Sequence, residues 1–283
     1  MLLALLPALA QAQHALVEAV QMPAWLERGG SRLPLAAGVA LRDGDAVVTG
    51  TQARALLRLA DGSAVRLGEG GRLVIGEFAL TRGERQLLRG ALEVAAGAFR
   101  YTTDRLARFR GERDLSVRLT TVTAGVRGTD FWGRGFEDRE IVCLIAGRIT
   151  VTRGTEPPLT MSDPLSFYVA PRGQPALPVA PVDPMQLALW AAETELAPGA
   201  GVAVRGGRFR VVVASPDNQA DALRAYDALR AAGYAAAIRP GRNEAGALVY
   251  EVRIAGLPTR ADAQALARRV AGVAGLEATP VVR

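Results

Sequence analysis

Phe209-Arg-Val-Val-Val-Ala-Ser215 returns, 41 positions later, as Tyr250-Glu-Val-Arg-Ile254. Phe209, Val211 and Val213 align with Tyr250, Val252 and Ile254; Asn218 aligns with Thr259, and Asp221-Ala222 with Asp262-Ala263. Each copy reads strand, helix, strand. The strands alternate, so one face of each is apolar. The helices open with N-x-x-D and T-x-x-D, capping boxes in which Asp stands for Glu. Ala263, Leu266, Ala267 and Val270 form a helical stripe that packs on a sheet. Gly233 falls where a helix C′ residue belongs. The pattern predicts βαββαβ, with strands near 208–214, 235–239, 248–255 and 276–282 and helices near 218–232 and 259–271. Its product is a four-stranded antiparallel sheet with both helices on one face and the other face open.

The rest of the chain differs in character. Residues 17–154 hold 20 of the 31 glycines, between short apolar runs. Such runs include Ala55-Leu-Leu-Arg-Leu59 and Ala64-Val-Arg-Leu67, joined through the hairpin signal Asp61-Gly62. Many short strands with frequent turns predict a mainly-β domain: a sandwich, a roll or a short solenoid. Gly125–Trp132 and Gly147-Arg148 read as turns, with Phe131 and Trp132 packing inward; the alternative is a Trp132 exposed to a partner. Residues 157–184 hold 8 of the 16 prolines and read as a linker or a strap. Asp183-Pro184 then fits an N-cap and first helical turn, with a short helix over Met185–Leu196. Pro198-Gly-Ala-Gly201 marks a boundary. The expected organisation is 1–13, a signal-peptide remnant; 14–156, the β domain; 157–206, strap, helix and linker; and 207–283, the βαββαβ module.

Composition excludes much chemistry. All 34 basic residues are Arg, so neither a P-loop lysine nor a Schiff-base lysine exists. One His (His14) and one Cys (Cys143) cannot build a Cys/His zinc site. Cys143, in Ile141-Val-Cys-Leu-Ile145, reads as a small core hydrophobe. No cofactor, no metal and no catalytic residue is expected. A carboxylate-dependent muramidase remains conceivable through Glu112/Asp114 or Glu137/Asp138/Glu140, although such clusters are usually solvated. Asp43 and Asp45 flank a glycine without a calcium-loop pattern and read as turn residues bonding to backbone.

Charge and targeting complete the reading. Residues 1–198 carry 22 Arg against 21 Asp+Glu, and residues 199–283 carry 12 against 7. The excess charge therefore belongs to the C-terminal third. Met1–Ala12 is an apolar run ending in an A-x-A cleavage pattern, with no positive residue before it. Export and a buried N-terminal element are the two readings, and export is the one carried forward. No stretch approaches the roughly 18 apolar residues of a spanning helix, so no transmembrane segment is expected.

Two families resemble these regions. Residues 16–155 resemble the FecR domain. The resemblance is carried by Ala37-Gly38, Leu41-Arg-Asp-Gly44-Asp45-Ala-Val-Val-Thr49-Gly50, Leu59-Ala-Asp61-Gly62-Ser63, Ala124-Gly-Val-Arg127-Gly128-Thr129-Asp-Phe131 and Gly147-Arg-Ile-Thr-Val151. It implies a periplasmic all-β domain that senses or binds another envelope protein, in some members relaying a signal to an anti-sigma segment. Residues 207–283 resemble the SPOR domain through Phe209–Ser215, Tyr250–Ile254 and Thr259-Arg-Ala-Asp-Ala263. That implies binding of peptidoglycan glycan strands, favouring strands stripped of stem peptides, on the open sheet face. The alternation assigns Arg210, Val212, Ala214, Val249, Glu251 and Arg253 to that face, with Ser215 at the strand end. Arg forks can hold sugar hydroxyls and the carboxylates of a lactyl-bearing glycan. The plain alternative is a solvated face on which Arg210, Glu251 and Arg253 pair across strands. Nucleic acid is not expected: an RRM would need outward aromatics where Val249, Glu251 and Arg253 stand. The sum is a non-catalytic, exported, periplasmic binding protein; the alternatives are an envelope signalling or scaffold protein without glycan affinity, and the muramidase.

Overall fold

The computed structural model describes residues 14–81, 87–104, 111–243, 245–273 and 280–283. The Met1–Ala12 run, most of Thr103–Arg108, which alone in the β region has a helix-like pattern, and most of the last expected strand lie outside the described residues.

The N-terminal region is one large sheet, 16-stranded among the described residues. Alternation drives it: in Arg54–Leu59, Ala55, Leu57 and Leu59 are buried while their neighbours are half-exposed. This strand pairs with Ala64–Leu67 across the expected Asp61-Gly62 hairpin. Gly62 takes φ +86°, and the Asp61 carboxylate accepts from the Ser63 amide and hydroxyl at 3.0 and 2.7 Å. The spine is Leu87–Thr102. Its first half lies between Arg72–Thr81 and Glu112–Arg118, its second between Ala64–Leu67 and Val122–Gly135. This exchange of partners bends the sheet around Phe99, Tyr101 and Phe131, which are fully buried.

Two stretches expected as turns are instead one bulge inside two long strands. Val122–Gly135 pairs with Arg139–Arg153, and the register shifts between Arg127 and Asp130. Gly128 at φ +65° faces Gly147 at φ +90°, and a Cβ on Gly147 would lie 2.3 Å from the Gly128 carbonyl oxygen. The Thr129 hydroxyl donates to the Arg148 carbonyl at 2.6 Å, which pins the bulge. Trp132 is not exposed; it is fully buried and stacks on Trp190 at 4.8 Å.

The proline-rich stretch adds short strands to the sheet, Leu159–Met161, Ser166–Pro171 and Ala180–Pro181. Asp183 then caps α1 (Pro184–Thr194) by accepting from the Met185 and Gln186 amides. Beyond the Pro198–Gly201 turn the chain returns to the β domain, where Val202–Val204 pairs with Ala15–Gln21.

The C-terminal region is the expected βαββαβ. Its sheet runs Ala237–Arg242, Leu248–Leu257, Phe209–Ala214, Val281–Val282, all antiparallel. Helices α2 (Gln219–Ala231) and α3 (Arg260–Val270) cover one face. Val211, Val213, Val252 and Ile254 are buried in the common core that the helices complete. α2 ends in a Schellman motif: Tyr234 donates to the Leu229 carbonyl and Gly233, at φ +83°, to that of Arg230.

The helix layer docks on the β domain. Ala24 donates to the Gly233 carbonyl at 3.0 Å, and a Cβ on Gly233 would lie 2.6 Å from the Trp25 ring. Arg269 donates to the Met22 carbonyl at 3.2 Å, and burial draws its guanidinium below the ordinary Arg range. Asp262 joins the parts. Its Oδ1 accepts from the Gly201 and Val202 amides at 3.1 Å each, and its Oδ2 accepts from Thr259 at 2.6 Å. Asp262→Ala strands two buried amides and should lower stability by about 2–4 kcal/mol in urea denaturation. Gly233→Val should cost at least as much, because its φ and the Trp25 contact both forbid a side chain.

Candidate functional site

The outward face of the C-terminal sheet is set by register. Val212 opposes Arg253, and Arg253, Glu251 and Val249 oppose Ala237, Arg239 and Gly241. Directly paired residues share a face. Arg210 and Arg283 exchange both backbone hydrogen bonds, at 2.7 and 2.8 Å, which places Arg283 on the same face. Arg210, Val212, Val249, Glu251 and Arg253 therefore lie together, with Ser215 exposed just beyond the strand end; Ala214, expected with them, does not join them, because the register shift after Val212 pairs it with the buried Val252 and packs it on the core.

This face is less open than the sequence predicts. Val212, Val249 and Glu251 are buried, at 5, 6 and 7 % exposure, and only the arginines and Ser215 reach solvent. Glu251 accepts from Arg283 Nη1 at 2.6 Å and has Arg253 Nη1 at 3.6 Å. Gly241 leaves room for it: a Cβ there would stand 3.2 Å from Glu251 Cγ. The expected pairing thus forms with Arg253 and Arg283. Arg210 takes no part in it, and its buried Nε has no hydrogen-bond partner among the described residues. Sequence reasoning missed Arg239 and Arg283. Alternation along Ala237–Arg242 was the available signal for Arg239; Arg283 is placed only by its cross-strand partner. Two guanidinium groups flank the Glu251 carboxylate and two more, Arg210 and Arg239, share its face over an apolar floor, an arrangement suited to hydroxyls and sparse carboxylates.

The other candidates resolve as structure. Glu140 is not solvated: it is fully buried and accepts from the Thr121 amide and hydroxyl and the Val122 amide. Asp114 pairs with Arg89 on the surface, and Asp130 holds Arg100 bidentately at 2.9 and 2.7 Å. Asp45 and Asp43 accept from the Arg42 and Phe78 amides. No cluster of three His, Cys, Asp or Glu residues that could hold a metal occurs among the described residues. No helix among them is long and apolar enough to cross a membrane.

Fold and site define a two-domain protein: a β domain carrying an α/β module whose sheet presents an arginine-rich face. The chain carries a FecR domain followed by a SPOR domain: residues 45–150 match the family model "FecR protein" and residues 206–281 the model "SPOR domain". SPOR is a peptidoglycan-binding family, and both families are typically non-catalytic and of the cell envelope. No curated protein sequence matches the chain. Two crystal structures of a "putative anti-sigma factor" from Parabacteroides distasonis ATCC 8503 are similar at 13 % identity and a TM-score of 0.41. The 2.50 Å structure covers 73 % of this chain and 97 % of its own, the 1.65 Å structure 84 % and 98 %.

Two buried groups give the β domain an alkaline signature. Burial pushes the Cys143 thiol up to about 12, with the charge of Asp130 adding to it. Burial, then the charge of Asp61, pushes the Tyr101 phenol up to about 12. Both folded values exceed the unfolded ones, so this stability is complete below about pH 8.5 and falls as pH rises towards 12. The fall should approach about 1.4 kcal/mol per pH unit per group, and Cys143→Ala should remove one share in urea titrations at pH 8, 9.5 and 11.

Proposed function

We propose that this chain is a non-catalytic cell-envelope binding protein. Its SPOR domain holds peptidoglycan glycan strands on the outward sheet face, and its FecR domain is a periplasmic sensing or interaction module. The observation that supports this most is the outward sheet face on which Arg210, Arg239, Arg253 and Arg283 lie together, with Arg210 outside the Glu251 pairing. Guanidinium groups not taken up by Glu251 keep donors for a ligand acceptor. The lactyl carboxylate of a stem-peptide-free glycan supplies such an acceptor, and sugar hydroxyls supply others. Export to the periplasm belongs to this reading, since the polymer is found there.

The scaffold reading draws on a different observation. α1 exposes Met185 and Leu189, at 75 and 61 %, one turn apart on an apolar stripe with Ala188 and Ala192. A protein partner could cover that stripe with no glycan involved.

Co-sedimentation of the whole chain with purified sacculi separates the two. The SPOR helices share the β domain's core, so the intact chain is the proper reagent. Binding should rise on amidase-stripped sacculi, and the double variant Arg210→Ala/Arg253→Ala should weaken it at least ~10-fold. A chain left in the supernatant with both kinds of sacculi would remove the glycan reading. Release of soluble muropeptides would instead reveal a muramidase.

A further inference from the structure

The hairpin Ala24–Arg28/Ser31–Pro34 carries an open trough that the sequence does not announce. Three clefts, of about 570, 340 and 250 Å³, adjoin one another around it. The first two share Arg28, Gly29 and Gly44, and the second and third share Arg32. The third is lined by Trp25 and Arg32 from the FecR side and by Asp227, Arg230 and Ala231 from α2 of the SPOR domain. One continuous surface therefore crosses the junction between the domains, on the helix side, opposite the sheet face.

Its lining alternates in sign. Arg28 grips Asp45 at 2.6 and 2.8 Å, and Glu27 lies 3.0 Å from Arg72 and 4.0 Å from Arg32. Arg32 also lies over the Trp25 ring at 4.2 Å. At the far end Arg230 and Asp227 are exposed, one turn apart on α2. At the near end His14 stacks on Phe78 at 5.6 Å. A Cβ on Gly29, Gly30 or Gly44 would meet nothing within 4 Å, so backbone and solvent alone occupy the middle.

Chemistry narrows the ligand. A polyphosphate, charged at every unit, would meet four carboxylates, Glu27, Asp43, Asp45 and Asp227, beside the five lining arginines. An apolar peptide would find few apolar walls. Hydroxyls both donate to carboxylates and accept from guanidinium groups, so an alternating lining satisfies them at each step. We propose that this trough binds an extended, hydroxyl-rich and sparsely carboxylated polysaccharide chain, laid across both domains. The site is separate from the sheet face and does not depend on the function proposed for it.

Tryptophan emission reads this site directly. Trp132 and Trp190 are buried, at 0 and 8 % exposure, and Trp25 is the half-exposed one in the trough. Titration of the whole chain uses two probes: soluble glycan strands freed of peptides, which bear carboxylates, and chitohexaose, which bears none. The strands should change Trp25 emission and bind at least ~10-fold tighter than chitohexaose. The surface variant Arg32→Ala/Arg230→Ala should weaken that titration by ~10-fold or more, while Arg210→Ala/Arg253→Ala leaves it unchanged. No emission change with either probe, or an unaltered titration in Arg32→Ala/Arg230→Ala, overturns the proposal. Equal affinity for the two probes overturns the carboxylate part of it, and tighter binding of single-stranded DNA overturns the ligand class.

Discussion

One buried carboxylate sets the arrangement of this molecule. Asp262 is 1 % exposed, and its partners are two linker amides and the hydroxyl of its own helix cap. In a simple capping box the acid turns back to the N-cap amide. Here Thr259 still caps the Asp262 amide, but the carboxylate is turned to the linker. The start of α3 is thereby fixed to the chain segment that next pairs, as Val202–Val204, with the first strand of the β domain. A side chain without an acceptor at this point would leave the linker amides unpaired in the interior, where each costs more than the bond contributes net.

The rest of the docking follows from that tie. The α2 terminus reaches the β domain at Gly233, where only a glycine fits against Trp25. The α3 stripe closes the same core, and Arg269 spans to Met22 although its burial is unfavourable for the charge. Gly207 and Gly256 cross so closely that a Cβ on the first would lie 2.3 Å from the second's carbonyl group. The SPOR domain is therefore held by its helix layer, and its sheet face is directed away from the β domain. A flexible bead on a proline-rich string is not what this sequence builds.

Much of this was legible in the sequence, and the reasons are local. The repeat of Phe209–Ser215 in Tyr250–Ile254, the caps at Asn218, Thr259 and Asp183, the Gly233 stop and the Asp61-Gly62 hairpin all act within a few residues. What was not legible depends on partners distant along the chain. Gly128 and Gly147 look like turn glycines in isolation; only their mutual approach makes them a bulge. Glu140 reads as a surface acid until Thr121 and Val122 bring three donors to it. That Trp132 packs is readable locally, but its partner Trp190, from a helix beyond the proline-rich stretch, is not. On the sheet face, Arg239 and Arg283 join Arg210 and Arg253 only through strand register, and Val212 and Val249 prove to be floor rather than rim.

The absence of lysine gains meaning from this geometry. An ammonium group is a compact, strongly hydrated point charge; a guanidinium group is a flat fork that can bond a carboxylate on one edge and a sugar hydroxyl on another. Arg28 already serves Asp45 and the Ala40 carbonyl together, and Arg253 and Arg283 flank a single Glu251. Such groups keep donors available while paired. The two arginine-rich surfaces lie on opposite sides of the C-terminal sheet, one on the strands and one beside α2. An extended chain that fills one cannot run straight into the other, because the four-stranded sheet and its helix layer stand between them. Straight chain segments seated on the two surfaces would therefore cross at an angle, which the docking that Asp262 secures would fix.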